Sequence, residues 1–156
     1  MTPIRPLAVV TGASGGIGFE LARRLGARGF DLIINAEDHD RLHEAAARVR
    51  AEGTEVETAV ADLRRFEEAE RFHAATGLTS RPVTVAALDT EVGHGGAFLE
   101  TDLVDELEIV DLSVRTTVHL VGRFLRDMVH EGGGRILLTS SLAPGTAKAR
   151  AREPVS

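Results

Sequence analysis

The chain has no cysteine, no tyrosine and no tryptophan. Without cysteine there is no disulfide framework and no thiolate nucleophile or metal ligand. Without tyrosine there is no phenol to serve as a general acid or base. No apolar run approaches the length of a bilayer-spanning helix, and Met1 to Pro6 lacks the apolar core of a secretory signal, so a cytoplasmic protein is expected. An excess of cations is missing too: 18 Lys and Arg stand against 24 Asp and Glu, for a formal net charge of -6. That balance argues against nucleic acid and against an anionic membrane as partners. What remains is 156 residues, 43% hydrophobic and 27% charged. This is the composition of a globular chain large enough for one domain with a substantial core.

The most informative stretch is Val9-Val10-Thr11-Gly12-Ala13-Ser14-Gly15-Gly16-Ile17-Gly18. Leu7 to Val10 reads as a short buried strand. A glycine-rich turn follows, and Ile17, Leu21 and Leu25 then recur at helical spacing. Strand, glycine turn and helix together make a phosphate site credible. The first backbone N–H groups of a helix have no partner within it and carry partial positive charge. A pyrophosphate can reach them if Gly12, Gly16 and Gly18 present no Cβ in its way. Ser14 can cap the helix or touch phosphate.

Apolar runs and glycine stops continue along the chain. Strands are predicted at Asp31 to Asn35, Glu55 to Ala61, Val83 to Leu88 and Arg135 to Thr139. Helices are predicted from about Asp40 to Val49, through Phe66, Ala69 and Phe72, and from about Asp102 to Glu131 with a break near Asp111. Alternating strands and helices with short turns call for a parallel sheet covered by helices on both faces. His39 and His43, four apart on a helix, could present two imidazoles to a metal. No cysteine joins them, so surface histidines and no metal site are expected.

The string Thr11-Gly12-Ala13-Ser14-Gly15-Gly16-Ile17-Gly18 resembles the cofactor turn of the short-chain dehydrogenase/reductase family. The resemblance implies a three-layer α/β Rossmann-like fold of strand order 3-2-1-4-5, with a cleft where the order reverses. It implies NAD or NADP as cofactor, with Gly12, Ser14, Gly16, Ile17 and Gly18 around the phosphates. Glu37, in Ala36-Glu37-Asp38 after the second strand, falls where many NADP-dependent relatives have arginine. A carboxylate there repels a 2′-phosphate, which favours NAD; Glu37 and Asp38 can equally be solvated charges entering a helix. Asp62, with Leu63, matches the family's aspartate that contacts adenine; it can also cap the following helix. Ser141, in Thr139-Ser140-Ser141-Leu142-Ala143, matches the catalytic serine that polarises the substrate carbonyl.

Other family features are altered. Leu88-Asp89-Thr90-Glu91 stands where the family has Asn-Asn-Ala-Gly, and Ser113 falls at the family's relay asparagine. The Tyr-x-x-x-Lys segment is not found: Arg152-Glu153-Pro154 lies at that distance, and Lys148 is in another setting. A fold truncated after the fifth strand is therefore expected, with residues 1–143 as an incomplete Rossmann-like domain and 144–156 as a disordered tail. The expected parent activity is NAD(P)-dependent oxidoreduction of a carbonyl or alcohol, inactive in this chain. Its ligand would be the dinucleotide or its ADP-ribose half. The alternative is a non-enzymatic nucleotide-binding or interaction subunit. The long helix is apolar on more than one face, so homo- or hetero-oligomerisation through residues 103–128 is expected, unless the extra apolar residues only cover the sheet.

Overall fold

The fold is given by a computed structural model in which residues 4–90 and 100–140 are described. Five parallel strands form one sheet in the order β3-β2-β1-β4-β5. They are β1 (Leu7–Val10), β2 (Asp31–Ala36), β3 (Val56–Val60), β4 (Val83–Leu88) and β5 (Arg135–Leu138). The helices α1 (Gly16–Ala27), α2 (His39–Ala51), α3 (Phe66–Gly77), α4 (Leu103–Val110) and α5 (Thr117–His130) connect them. A π-helical stretch, Asp111–Thr116, joins α4 to α5 without interruption. The expected break near Asp111 is therefore a widened turn within one helical run.

The side-chain period of a strand explains the layering. Successive residues of β1 point to opposite faces. Ala8 and Val10 join Ala22 of α1, Leu42 and Ala46 of α2, and Leu32 and Ile34 of β2 in one core. Leu7 and Val9 join Ala69 and Phe72 of α3, Leu120 and Phe124 of α5, and Ile33 of β2 in the other. A strand buried on both faces must be apolar at every position, and all four residues of β1 are buried. Leu120, Phe124 and Met128 repeat every four residues, so α5 lays one face on the sheet.

Two expected inner-face residues lie elsewhere. Ile17 is 56% exposed and Phe66 49% exposed. Each sits in the first turn of its helix, and Phe66 packs against the His119 ring of α5 with centroids 4.8 Å apart. Strand ends differ from expectation by a residue or so. At the start of β2, Asp31 is buried and held by Arg81 at 2.6 Å and Arg5 at 3.6 Å. Arg5 also donates to the Gly26, Gly29 and Gly53 carbonyls, pinning the loops beneath the sheet. β5 is an outer strand, and its Leu137 and Leu138 are 43% and 50% exposed.

Candidate functional site: the glycine turn and the cleft at the strand ends

The turn after β1 is fixed by backbone bonds to both neighbouring strands. Thr11 N–H donates to the Ala87 carbonyl at 3.0 Å, and Ala13 N–H donates to the Asn35 carbonyl at 2.9 Å. The Thr11 hydroxyl accepts from Asp89 N–H at 2.9 Å and donates to the Asp89 carbonyl at 3.2 Å. The turn is thus anchored before any ligand is considered.

The three glycines have different reasons to be glycine. A Cβ on Gly12 would stand 2.5 Å from the Asp89 carbonyl oxygen, and one on Gly18 would run into the Gly12 and Thr11 carbonyls. These two let backbones approach closely. Gly16 has φ +54° and nothing within 4 Å of a Cβ built on it. It is the one that opens to solvent at the start of α1. Gly15 is the N-cap of α1, and no side chain among the described residues caps the helix. The Ser14 cap expected from the sequence is not formed, because the cap falls one residue later. The N-terminus of a twelve-residue helix therefore faces outward beside an uncluttered glycine. This arrangement fits a diphosphate, which needs backbone N–H donors and close approach.

Beside the turn lies a cleft of about 180 Å³, bounded by Gly12, Ser14, Glu37, Asp62, Leu63 and Arg64 among others. It is smaller than the roughly 300–1,000 Å³ of a whole small-molecule site, as suits one end of a dinucleotide. A hollow of about 290 Å³, near Thr76, Arg81 and His130, lies at the other end of the strands. It has no glycine turn, and in open parallel sheets ligands bind at the carboxyl ends of the strands.

Sequence reasoning missed the centre of the cleft. Arg64 Nε donates to Asp62 Oδ1 at 2.8 Å, and Nη2 to Asp62 Oδ2 at 3.0 Å. Nη2 also donates to Glu37 Oε2 at 2.6 Å, and Nη1 to Glu108 Oε2 of α4 at 3.1 Å. One guanidinium thus links the ends of β2 and β3 to α4. Only the topology could reveal this, although the pair Arg64-Arg65 directly after Asp62-Leu63 is a visible signal. Burial acts to raise the Asp62 pKa, but hydrogen bonds and charge from Arg64, with Arg65, hold the carboxyl below its usual range. The Arg64 guanidinium is pushed the other way, chiefly by its hydrogen bonds to Asp62.

Asp62 does not cap α3. The cap residue is Arg65, and the Asp62 carboxylate instead accepts from the Arg64 backbone and side chain. Asp38 caps α2, accepting from Arg41 N–H at 2.9 Å, so Asp38 is a helix-entry charge while Glu37 belongs to the cleft. Asp89 does not stand free near the phosphates: its Oδ1 accepts the Thr139 hydroxyl at 2.5 Å, linking the ends of β4 and β5. The Ser113 hydroxyl, in the π-helical stretch, donates to the Thr90 carbonyl at 3.1 Å. The His39 and His43 rings stack at 4.1 Å, and no group of three or more His, Asp or Glu among the described residues could hold a metal. Ser141 and Glu91 lie outside the described residues, as does the expected tail.

One face of α4 and α5 is unpartnered among the described residues. Leu103, Leu107, Val110, Val114, Val118, Leu125 and Val129 are each at least half exposed. Their spacings of three, four and seven make a single seam across the π-helical stretch. No helix among the described residues is long and apolar enough to cross a membrane.

A parallel 3-2-1-4-5 sheet with a glycine turn between β1 and α1 defines a Rossmann-like dinucleotide-binding fold. The chain belongs to the short chain dehydrogenase family, whose profile matches residues 6–151. A Streptomyces violaceoruber protein described as "Granaticin polyketide synthase putative ketoacyl reductase 1" is 34% identical over 148 residues. That match covers 90% of this chain and 52% of the relative. Dehydrogenase/reductase SDR family member 4 of Bos taurus is 29% identical, with 88% and 50% covered. Among solved structures, a variant of actinorhodin polyketide ketoreductase with NADPH superposes with a TM-score of 0.79 at 30% identity, covering 86% of this chain and 52% of that one. A metagenomic short-chain oxidoreductase in complex with NADP gives 0.79 at 27% identity, with 97% and 66% covered. The chain spans about half the length of the curated relatives it matches.

Proposed function

We propose that this chain is the nucleotide-holding half of an NAD(P)-dependent oxidoreductase fold and binds a dinucleotide through its ADP-ribose portion. The observation that carries the reading is the open Gly16 beside the uncapped start of α1, next to a cleft at the strand ends. The α1 N-terminus would hold the diphosphate, with Gly12, Ser14, Gly16, Ile17 and Gly18 around it. Glu37 would face the ribose, and Asp62 and Leu63 the adenine. The bound group would supply a nicotinamide that exchanges hydride with a carbonyl or alcohol, as the reductase names of the relatives suggest.

These 156 residues contain no tyrosine. Ser141 is the one residue matching the family's catalytic set, and a hydroxyl alone does not deliver the proton that carbonyl reduction needs. Loss of a general acid typically lowers the rate by roughly a hundred- to ten-thousand-fold. Nucleotide binding without turnover is therefore the reading for this chain. Glu37 speaks for NAD, but its pairing with Arg64 offsets its charge, so the reading covers either dinucleotide.

Calorimetric titration of the full chain with ADP-ribose, NAD and NADP tests this. ADP-ribose should bind about as tightly as the better of the two dinucleotides. Absence of binding by all three refutes the reading. Reduction of a ketone panel that is lost on Ser141→Ala would refute the inactivity.

A second reading rests on the seam from Leu103 to Val129. On it, the chain pairs with a second copy or an intact relative through that face and acts as an interaction subunit. Sedimentation showing a monomer at high concentration, alone and with a relative, counts against it.

A further inference from the structure

We propose that nucleotide binding in the cleft tightens α4 against the domain through Arg64, so that the ligand sets how the apolar face of α4 is presented; this rests on the dinucleotide reading above. α4 and α5 belong to one helical run but are fastened differently. α5 lays Leu120, Phe124 and Met128 on the sheet, all three buried. α4 has no buried residue, and its Leu103, Val104, Leu107 and Val110 are each at least half exposed. Packing of an apolar face is what ordinarily holds a helix to its domain. α4 gains little from it.

Its Glu108 instead meets Arg64 from beyond the end of β3, with Nη1 donating to Oε2 at 3.1 Å. The same guanidinium holds the two oxygens of Asp62 at 2.8 Å and 3.0 Å, and Glu37 Oε2 at 2.6 Å. Leu112, just past α4, bounds the cleft together with Arg64, Glu37 and Asp62. One cation is therefore shared among three carboxylates, two in the nucleotide cleft and one on α4. The Arg64 side chain is 29% exposed and that of Glu108 49%, so their pair is solvated and weak in the free chain. An adenosine in the cleft changes the sharing in two ways. Its ribose hydroxyls and amino group are donors, and they compete with Arg64 for the oxygens of Glu37 and Asp62. It also displaces water from the guanidinium, which strengthens the contact that is left. Both effects favour Glu108. By linkage, the docked position of α4 binds nucleotide more tightly by the factor with which nucleotide favours docking.

Hydrogen exchange of the full chain, read over the α4 amides with and without saturating ADP-ribose, tests this. ADP-ribose should slow α4 exchange roughly fivefold, the lower end of ordinary coupling between sites. In the free chain, α4 exchange should quicken as salt is raised, because a half-exposed ion pair is screened. Glu108→Gln should quicken α4 exchange, remove its response to ADP-ribose and weaken ADP-ribose binding by up to the same factor. Asp105→Asn, which removes a different charge from the first turn of α4, should keep the response. ADP-ribose that binds by calorimetry yet leaves α4 exchange unchanged, or a response that survives Glu108→Gln, overturns the proposal and leaves the dinucleotide reading standing. Absence of binding overturns both.

Discussion

Substituting Gly16 and Gly18 separately by alanine should strike different properties, ligand binding at the first and stability at the second. A methyl on Gly18 would meet the Gly12 and Thr11 carbonyls, backbone atoms that no rotamer change can move. Forcing α1 away from β1 costs about 3 kcal/mol on the scale of overpacked cores. Alanine regains about 1 kcal/mol over glycine within a helix. The net loss is about 2 kcal/mol, or about 6 °C in Tm for a domain of this size. At Gly16 nothing obstructs a methyl, and only the positive φ of +54° penalises it. That strain is about 1 kcal/mol, or about 3 °C. The methyl would, however, stand where the diphosphate is expected, so ADP-ribose affinity should fall at least tenfold. Thermal unfolding followed by far-ultraviolet circular dichroism, paired with ADP-ribose titration, reads both quantities. Gly16→Ala with unimpaired binding, or Gly18→Ala with undiminished Tm, would refute the assignment of separate roles.

Asp31→Asn should destabilise by about 2 kcal/mol in urea titration, because two arginines lose the charge that holds them at the sheet's lower end. The Asp62 pKa is lowered in the folded state, so its contribution is fully present above the unfolded value of 3.8 and is lost as pH falls through the lower folded value. Arg64→Gln should flatten that acid limb in a pH series of unfolding curves; an unchanged limb would show that Arg64 does not carry the effect. Val114→Asp with Val118→Asp, both on the exposed seam, should leave Tm within about 2 °C and abolish any self-association seen by sedimentation equilibrium. Persistence of the same oligomer would move the contact elsewhere.

The fold was largely legible because its signals are local. Leu7 to Val10 is apolar without alternation because β1 is covered on both faces, and the glycine turn follows directly. Strand order was legible only through the family resemblance, since periodicity carries no information about which strands are neighbours. The cleft was legible in its separate parts and not in their pairing. Glu37 and Arg64 are 27 positions apart, and parallel strands β2 and β3 bring their loops together. The same blindness applies to Asp89, which looks like a charge awaiting a phosphate until β5 delivers Thr139 to it. Ile17 and Phe66 fit their helical periods but start their helices, where the period alone does not reveal whether a sheet lies beneath.

The division of the interior into two separate cores has a consequence for how such a chain tolerates change. The nucleotide turn leans on Ala8, Val10, Ala22 and Leu32, all in the layer beneath α1 and α2. Leu88, Leu120 and Phe124 belong to the other layer, next to the altered Asp89, Thr90 and Ser113. The sheet separates the two layers along its length, but at the strand ends they meet, because Thr11 of the turn bonds Asp89 and Gly12 packs against the same residue. Substitutions beneath α3 and α5 that spare Asp89 would therefore leave the packing under the glycine turn in place, while any change of Asp89 would be felt by the turn itself.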